Sequence, residues 1–173
     1  KNKLSELARK YDAKLLNVLM KEKKIKTNAL RILDKQKIEY EIHTYEWSEG
    51  TSSGLGVAEK LPELADRIFK TIVLKGKTKN LHVCVIPGAA HLDLKKVAKA
   101  CGEKNIELLP LSELEKNTGY IRGGCSPVGM KKKYDTFFDE SALKFEKIIV
   151  SAGKRGLQME ADTQKLIEVT DGK

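Results

Sequence analysis

The chain has few cysteines, no long hydrophobic run and none of the common nucleotide-binding loops. Its three cysteines, Cys84, Cys101 and Cys125, are odd in number and form no Cys-x-x-Cys pair. This disfavours a disulfide framework and favours a reducing compartment. No apolar segment reaches the length of a membrane span, and the N-terminus lacks the apolar core of a signal peptide. We therefore expect a cytoplasmic protein with no membrane partner. The absence of Gly-x-Gly-x-x-Gly and Walker loops disfavours nucleotide enzymes of those types.

Positive charge is concentrated at the N-terminus. The first 37 residues contain 12 Lys/Arg against 4 Asp/Glu, which accounts for +8 of the net charge of +9 carried by all 173 residues. A basic segment speeds encounter with nucleic acid, although a solvated lysine-rich helix face has the same composition. Apolar residues at helical spacing over 4–19 predict an amphipathic helix. We therefore assign residues 1–26 to a basic helical extension and residues 27–173 to the main domain.

Short strands and helices alternate in the main domain. Thr27 and Asp93 are expected to cap helices, and Ser112 with Glu115 to form a capping box. Two apolar runs, 68–74 and 81–86, are typical of buried strands. Further strands are predicted at 40–45, 106–109, 136–138, 147–150 and 157–160, and further helices at 56–61 and 163–169. This mixture predicts an α+β fold in which a barrel-like mixed sheet carries peripheral helices.

A lone cation stands out in the first buried strand. Lys70 lies in Ile68-Phe69-Lys70-Thr71-Ile72-Val73-Leu74 and, by strand alternation, shares a face with Ile68 and Ile72. A lysine is rarely buried without a partner, so Lys70 either reaches solvent at a sheet edge or lines a pocket that holds an anion. The sequence of this strand leaves both alternatives open. The glycine-rich segment described next favours the pocket.

Two glycine-containing segments are candidates for a ligand-binding loop. The segment 119–129 contains Gly123-Gly124 followed by Ser126-Pro127-Val128-Gly129, and the segment 151–156 reads Ser-Ala-Gly-Lys-Arg-Gly. Paired glycines most often form a plain turn. They also allow bare N–H groups to approach a ligand and polarise a carbonyl oxygen, which an acyl-transfer site requires.

No protein nucleophile or metal site emerges from the sequence. None of the three histidines lies near a Ser-x-Gly elbow or a cysteine signature. His82 and Cys84 share one predicted strand face, but two candidate ligands make a weak metal site, and structural roles are favoured for both. Cys125 lies in the glycine-rich segment without an adjacent base and is interpreted as a small filler side chain. We predict no metal and no cofactor.

Together these segments resemble the YbaK/ProX family, which comprises aminoacyl-tRNA deacylases and the editing domains associated with prolyl-tRNA synthetases. The similarity runs from Thr27 to about Leu166. The matching segments are Lys35-Gln36-Lys37-Ile38, His43-Thr44-Tyr45, Ala58-Glu59-Lys60-Leu61, Phe69-Lys70-Thr71, Leu94-Lys95-Lys96, Thr118-Gly119-Tyr120, Gly123-Gly124-x-Ser126-Pro127-x-Gly129 and Ser151-Ala152-Gly153-Lys154-Arg155-Gly156. The resemblance implies the barrel-like mixed fold of that family.

The resemblance also implies a function. It is the hydrolysis of cysteine or alanine wrongly esterified to tRNA-Pro, in which water, or the thiol of a cysteinyl substrate, attacks the ester. The essential lysine of the family matches Lys70. Lys70, Gly123 and Gly124 are therefore the implied catalytic residues. The implied substrate-binding residues are Tyr45, Thr71, Ser151 and Gly153. The implied partners are the acceptor end of tRNA-Pro and a prolyl-tRNA synthetase in cis or in trans.

Two departures from the family pattern concern substrate size and chain organisation. The stretch Ser52-Ser53-Gly54 stands where relatives often carry a phenylalanine, and the basic helix before Thr27 is an addition to compact relatives. The chain could therefore be part of a longer synthetase. The rival hypothesis is an editing-like domain that binds tRNA and has no hydrolytic activity of its own.

Overall fold

The computed structural model describes residues 9, 10, 12 and 14, together with 26–49 and 54–173. The elements with defined bounds in this part are, in chain order, α1 (Asn28–Lys35), β1 (Tyr40–Thr44), α2 (Gly54–Lys60), a 3-10 helix (Pro62–Arg67), β2 (Phe69–Gly76), β3 (Leu81–Pro87), α3 (Leu94–Cys101), β4 (Ile106–Leu108), α4 (Leu111–Thr118), β5 (Asp135–Phe138), a second 3-10 helix (Glu140–Lys144), β6 (Lys147–Lys154), β7 (Leu157–Asp162) and α5 (Thr163–Val169). The described residues contain no helix with the length and apolarity needed to cross a bilayer.

The predicted α+β class is confirmed, but the described strands form two sheets and no closed barrel. One sheet has the order β1-β7-β6 and is antiparallel throughout. The other has the order β4-β2-β3-β5, in which β3 and β5 are parallel and the remaining pairs antiparallel. Both sheets carry helices at their periphery, as the sequence predicts.

The two sheets meet along one edge of β2. Ile68, immediately before β2, forms a parallel bridge with Ile149 of β6. Further along the same edge, β4 pairs with Leu74–Gly76. A strand edge accepts one partner at each level, so β6 is next to β2 only near the start of that strand. We call the interval between the bridge and β4, with Lys70–Ile72 on β2 and Ser151–Gly153 on β6, the seam.

The largest core cluster joins distant parts of the chain. Leu30 and Leu33 from α1 pack against Ile148, Val150 and Met159, and all five side chains are buried. Burial of a leucine, isoleucine or methionine side chain contributes about 1.5–3 kcal/mol to folding. Helix α1 is therefore an integral part of the domain, held against β6 and β7.

Helix starts follow the sequence at two positions and depart from it at a third. The Thr27 hydroxyl accepts from the Leu30 N–H at 3.2 Å, and Asp93 accepts from two N–H groups at the start of α3, as predicted. The capping box at Ser112 and Glu115 is wrong. Helix α4 begins at Leu111 after Pro110, which makes no side-chain cap. Ser112 therefore lies inside the first turn, past the position where its hydroxyl would cap the helix.

The predicted N-terminal helix over 4–19 lies largely outside the described residues. Arg9, Lys10, Asp12 and Lys14 are helical and exposed, and they are charged positions of that pattern. The boundary between an extension at 1–26 and a domain at 27–173 stays a prediction.

Candidate functional site

Lys70 lies on β2 beside the seam. The side chains of Ile68 and Ile72, which share its strand face, pack in separate apolar clusters on either side of it. Burial lowers the pKa of the Lys70 ammonium from the ordinary lysine value. None of the ion pairs within the described residues includes Lys70. A partly buried cation without a carboxylate partner is suited to bind an anionic or strongly polar ligand.

Ser151 is on the facing strand. From the bridge between Ile68 and Ile149, β2 and β6 run in the same direction, so Lys70 and Ser151 each lie two residues beyond it. The Ser151 hydroxyl accepts from the Gly153 N–H at 3.2 Å. This contact begins an irregularity in the β6–β7 ladder between Ser151 and Lys154. The strand is thereby bent at the point where it borders the seam.

Thr71 is on the opposite face of β2 from Lys70. Its same-face neighbours Phe69 and Val73 pack in clusters that contain Val128 and Cys125 of the glycine-rich segment. The Thr71 hydroxyl oxygen is buried and has no hydrogen-bond partner among the described residues. Alternation along β2 thus directs Lys70 and Thr71 to different sides, and a single ligand would meet both only at the strand edge.

Other parts of the chain come too close to Gly123 and Gly124 for either position to carry a side chain. A β-turn spans Ile121–Gly124, in which the Gly124 N–H donates to the Ile121 carbonyl at 3.0 Å. Gly123 has a φ of +84°, and a Cβ on it would lie 2.6 Å from the Trp47 indole nitrogen. A Cβ on Gly124 would lie 2.9 Å from the Arg155 backbone nitrogen. Both positions therefore require glycine, and the Gly124 N–H is already engaged in the turn.

The three motifs of the sequence converge in one region. Phe69 from the Lys70 strand, Val128 from the glycine-rich segment and Ala152 from the β6–β7 hairpin are buried in the same cluster. Tyr120 connects the last two motifs. Its hydroxyl donates to the Val128 carbonyl at 2.7 Å, and its ring lies against Gly153. The glycine-rich segment and the hairpin therefore pack on the face of β2 that carries Phe69 and Thr71, and Lys70 meets them only at the strand edge.

The segment after β1 brings Tyr45 and Trp47 to the same region. The Tyr45 N–H donates to the Gly156 carbonyl at 3.0 Å. The Tyr45 hydroxyl and the Trp47 Nε1 are buried, and neither has a hydrogen-bond partner among the described residues. The Arg155 guanidinium stacks over the Trp47 ring at 3.9 Å from its centroid. Sequence reasoning missed Trp47, although a lone tryptophan two residues after Tyr45 was an available signal.

Cys125, His82 and Cys84 have surroundings typical of structural residues. Burial raises the pKa of the Cys125 thiol to about 12, so this residue is protonated at neutral pH and is a poor nucleophile. His82 lies 3.0 Å from the Glu103 carboxylate, and Cys84 packs beneath α3 in an apolar cluster. These partners agree with the structural interpretation of both residues.

A charged cluster missed by the sequence analysis lies on the three-stranded sheet. Ligand atoms of Glu41, His43 and Glu160 lie within 4.8 Å of one another, close enough to share one metal ion. The Arg67 guanidinium contacts the Glu160 carboxylate at 3.1 Å. This cation already compensates the buried carboxylate, so the cluster is best described as an ion-pair network.

The chain is similar in sequence to a known domain family and to a named bacterial protein. Residues 50–169 match the aminoacyl-tRNA editing domain family. The chain is 49% identical over 147 residues to the Enterococcus faecalis protein EbsC, provisionally named a Cys-tRNA(Pro)/Cys-tRNA(Cys) deacylase, and the match covers 85% of this chain and 90% of that protein.

Two solved structures share the fold. A provisionally assigned trans-editing enzyme for prolyl tRNA synthetase has a TM-score of 0.67 at 20% identity, over 78% of this chain and 83% of that one. The hypothetical protein APE2540 has a TM-score of 0.74 at 20% identity, over 84% of this chain and 95% of that one. At such identities these likenesses establish the architecture alone.

Proposed function

Because the chain belongs to the aminoacyl-tRNA editing domain family, we propose that it hydrolyses amino acids wrongly esterified to tRNA-Pro, with its site at the seam. The observation that carries the proposal is Lys70, a partly buried lysine with a lowered pKa and no carboxylate partner among the described residues. Such a cation suits the phosphate or ribose of the terminal adenosine. The glycine-rich segment and the β6–β7 hairpin lie next to its strand.

The proposed reaction needs no protein nucleophile. The oxygen of water, or the thiol of a cysteinyl substrate, bonds to the ester carbonyl carbon, and the carbonyl π electrons move to the oxygen. The tetrahedral intermediate then expels the ribose oxygen, which takes up a proton while the attacking group loses one to solvent. Lys70 orients the terminal nucleotide, and the Gly123 N–H stabilises the negative carbonyl oxygen. Gly124 is not proposed as a donor to the substrate, because its N–H donates to the Ile121 carbonyl. Its proposed role is to shape the loop that carries Gly123.

The substrate-binding assignments follow from the same geometry. Tyr45 and Thr71 each have a buried hydroxyl without a partner among the described residues, which a polar substrate group would satisfy. Ser151 faces the seam from β6, and Gly153 fixes the Ser151 hydroxyl through its N–H. We assign these four residues to substrate binding and Lys70 and Gly123 to catalysis.

Cysteine is the proposed acyl group to test first, since the EbsC relative carries Cys-tRNA in its name. Alanine is the second candidate because it is also small. A prolyl-tRNA synthetase is the proposed partner, in cis or in trans. The cytoplasm is the proposed compartment, because aminoacyl-tRNAs are made there for translation.

A side-by-side deacylation assay tests the proposal. Cys-tRNA-Pro, Ala-tRNA-Pro and correctly charged Pro-tRNA-Pro are each incubated with the wild-type chain and with Lys70→Ala. We expect release of cysteine or alanine but not proline, and loss of this activity in the variant. Lys75→Ala is the matched control, because Lys75 lies on the same strand but pairs with Glu113 at 3.7 Å. Binding of tRNA without hydrolysis by the wild-type chain would establish the rival, a non-hydrolytic binding domain.

A further inference from the structure

The turn at Ile121–Gly124 leaves the glycine-rich segment with only one free N–H of the glycine pair for a substrate carbonyl oxygen. Catalytic oxyanion sites commonly combine two hydrogen-bond donors aimed at the developing negative charge. The Gly124 N–H donates to the Ile121 carbonyl at 3.0 Å and is unavailable to a substrate in this structure. The glycine pair therefore offers only the Gly123 N–H, and a second donor has to come from another element.

A donor without a partner lies directly beside Gly123. The Trp47 Nε1 is buried and finds no acceptor among the described residues. The same atom lies 2.6 Å from the position that a Cβ on Gly123 would occupy, so the indole nitrogen abuts the Gly123 α-carbon. An indole N–H can only donate. A buried one without an acceptor is satisfied when a ligand supplies an oxygen.

The indole ring is held in place by its neighbours. The Arg155 guanidinium stacks over the ring at 3.9 Å from its centroid, and the Arg155 Nε donates to the Arg122 carbonyl at 2.9 Å. Arg155 thus connects the ring to the glycine-rich segment from which Gly123 projects. The Nε1 atom is closed off from solvent in this structure, so a substrate oxygen reaches it only when the glycine-rich segment gives way, while Arg155 keeps the ring in place.

We propose that the Trp47 Nε1–H is the second donor to the ester carbonyl oxygen, acting together with the Gly123 N–H. This assignment rests on the proposed deacylase function and adds a catalytic residue to it. The oxygen of the tetrahedral intermediate carries the electron pair released from the carbonyl bond, and both N–H groups donate to it. The reaction itself is the hydrolysis already described, with no further reactant.

Replacement of Trp47 by 3-benzothienylalanine removes the N–H and keeps the ring shape. We expect the single-turnover rate of deacylation to fall about 100-fold, the usual loss for one oxyanion donor. Affinity for an amide-linked, non-hydrolysable aminoacyl-tRNA should fall much less, because its uncharged carbonyl oxygen accepts a weaker hydrogen bond than an oxyanion does. Affinity for an adenosine aminoalkylphosphonate, which mimics the tetrahedral intermediate, should fall by the same factor as the rate. An unchanged rate, or an equal loss of affinity for both analogues, would overturn the assignment.

The wild-type chain provides a second measurement that does not depend on a variant folding. Trp47 is the single tryptophan of the chain, so its indole N–H gives one identifiable NMR signal. Addition of the phosphonate should shift this proton downfield as the hydrogen bond forms, and a signal that stays in place at saturation would contradict the proposal. If the wild-type chain hydrolyses no misacylated tRNA, the proposed function fails. If it hydrolyses one but the benzothienyl variant matches it, only the Trp47 assignment fails.

Discussion

At the scale of single residues, the titration of Lys70 gives a direct test of its role. Burial lowers its pKa from the ordinary value of 10.5, and in its proposed role the charged form holds the phosphate or ribose of the terminal adenosine. As the pH rises through the lowered pKa, the charged fraction falls. We therefore expect kcat/KM to decline on the alkaline side at a pH below the ordinary lysine pKa, because kcat/KM reports the free enzyme.

The measurement is a pH–rate profile with the uncatalysed hydrolysis of the ester subtracted at each pH. The Lys75→Ala variant should give the wild-type profile, since its lysine lies on the same strand but is paired with Glu113. A profile that stays flat up to the ordinary lysine pKa would show that the charge of Lys70 is not required.

The thiol of Cys125 provides a second residue-scale prediction. Its pKa is raised to about 12 by burial, so the thiolate is scarce at neutral pH and the residue serves as core filler. Cys125→Ala should keep deacylation within a few fold of wild type and lower stability by about 1 kcal/mol, the cost of a small cavity. Activity and thermal unfolding of the same preparation check both parts. Loss of activity in a variant with wild-type stability would make Cys125 a participant in the reaction.

At the scale of elements, the contact between the glycine-rich segment and the β6–β7 hairpin leaves no room for an added side-chain atom. Gly124→Ala would place a Cβ 2.9 Å from the Arg155 backbone nitrogen. Backbone yields less readily than a side chain, so the loop is displaced at a cost of about 1–3 kcal/mol. We expect both stability and deacylation to fall, the rate by an order of magnitude or more, since Gly123 moves with the loop.

Gly102→Ala is the control for this substitution. Gly102 ends α3 with a φ of +72° and has nothing within 4 Å of an added Cβ. Its replacement should destabilise the chain by about 1–2 kcal/mol through backbone strain and leave kcat/KM intact. Equal losses of activity in both variants would attribute the Gly124 effect to stability alone.

Elements were largely predictable where local signals decide them. Helix α5 begins and ends at the predicted residues, and α1 and α3 begin at their predicted caps. The expected cap at Ser112 was wrong because α4 begins before it, at Leu111, with Pro110 in the capping position. The two 3-10 helices were not predicted, since short segments of this kind carry no clear apolar period.

The sequence predicted which residues belong to the candidate site better than it predicted how they are arranged. The alternation of β2 correctly put Lys70 beside Ile68 and Ile72, but only the sheet order reveals the seam on which Lys70 lies. The approach of Trp47 to Gly123 joins residues far apart in the chain. No local pattern encodes such an approach, and the same holds for the use of the Gly124 N–H within its turn.

At the scale of the whole molecule, the uneven charge predicts how tRNA is bound. Residues 1–37 contribute +8 of the net +9. If the basic extension binds the tRNA backbone, deletion of residues 1–25 weakens binding and lowers the slope of log affinity against log salt by about 0.9 for every duplex phosphate that is no longer neutralised. The deletion keeps Lys26, which pairs with Asp34. Deacylation of a short aminoacylated minihelix should survive, because the seam is built from other residues.

The binding slope and the melting temperature are measured on the same truncated protein. An extension that packs on the domain, or on another domain of a longer chain, would lower the melting temperature or disrupt assembly and leave the slope unchanged. An unchanged slope would therefore refute the hypothesis that the extension binds tRNA.

The pairing of β1 with β7 also determines when the site can form during synthesis. Tyr40 lies opposite Ala161 and Thr44 opposite Leu157, so the strand that leads to Tyr45 and Trp47 is without its partner until the ribosome has made β7. Such long-range pairing costs loop-closure entropy before the paired strands stabilise each other, which makes folding slow. Lys70 and Gly123 are likewise synthesised well before Ser151. A nascent chain thus holds all the proposed catalytic residues but no seam, and we expect it to acquire activity only after Asp162 has left the ribosome.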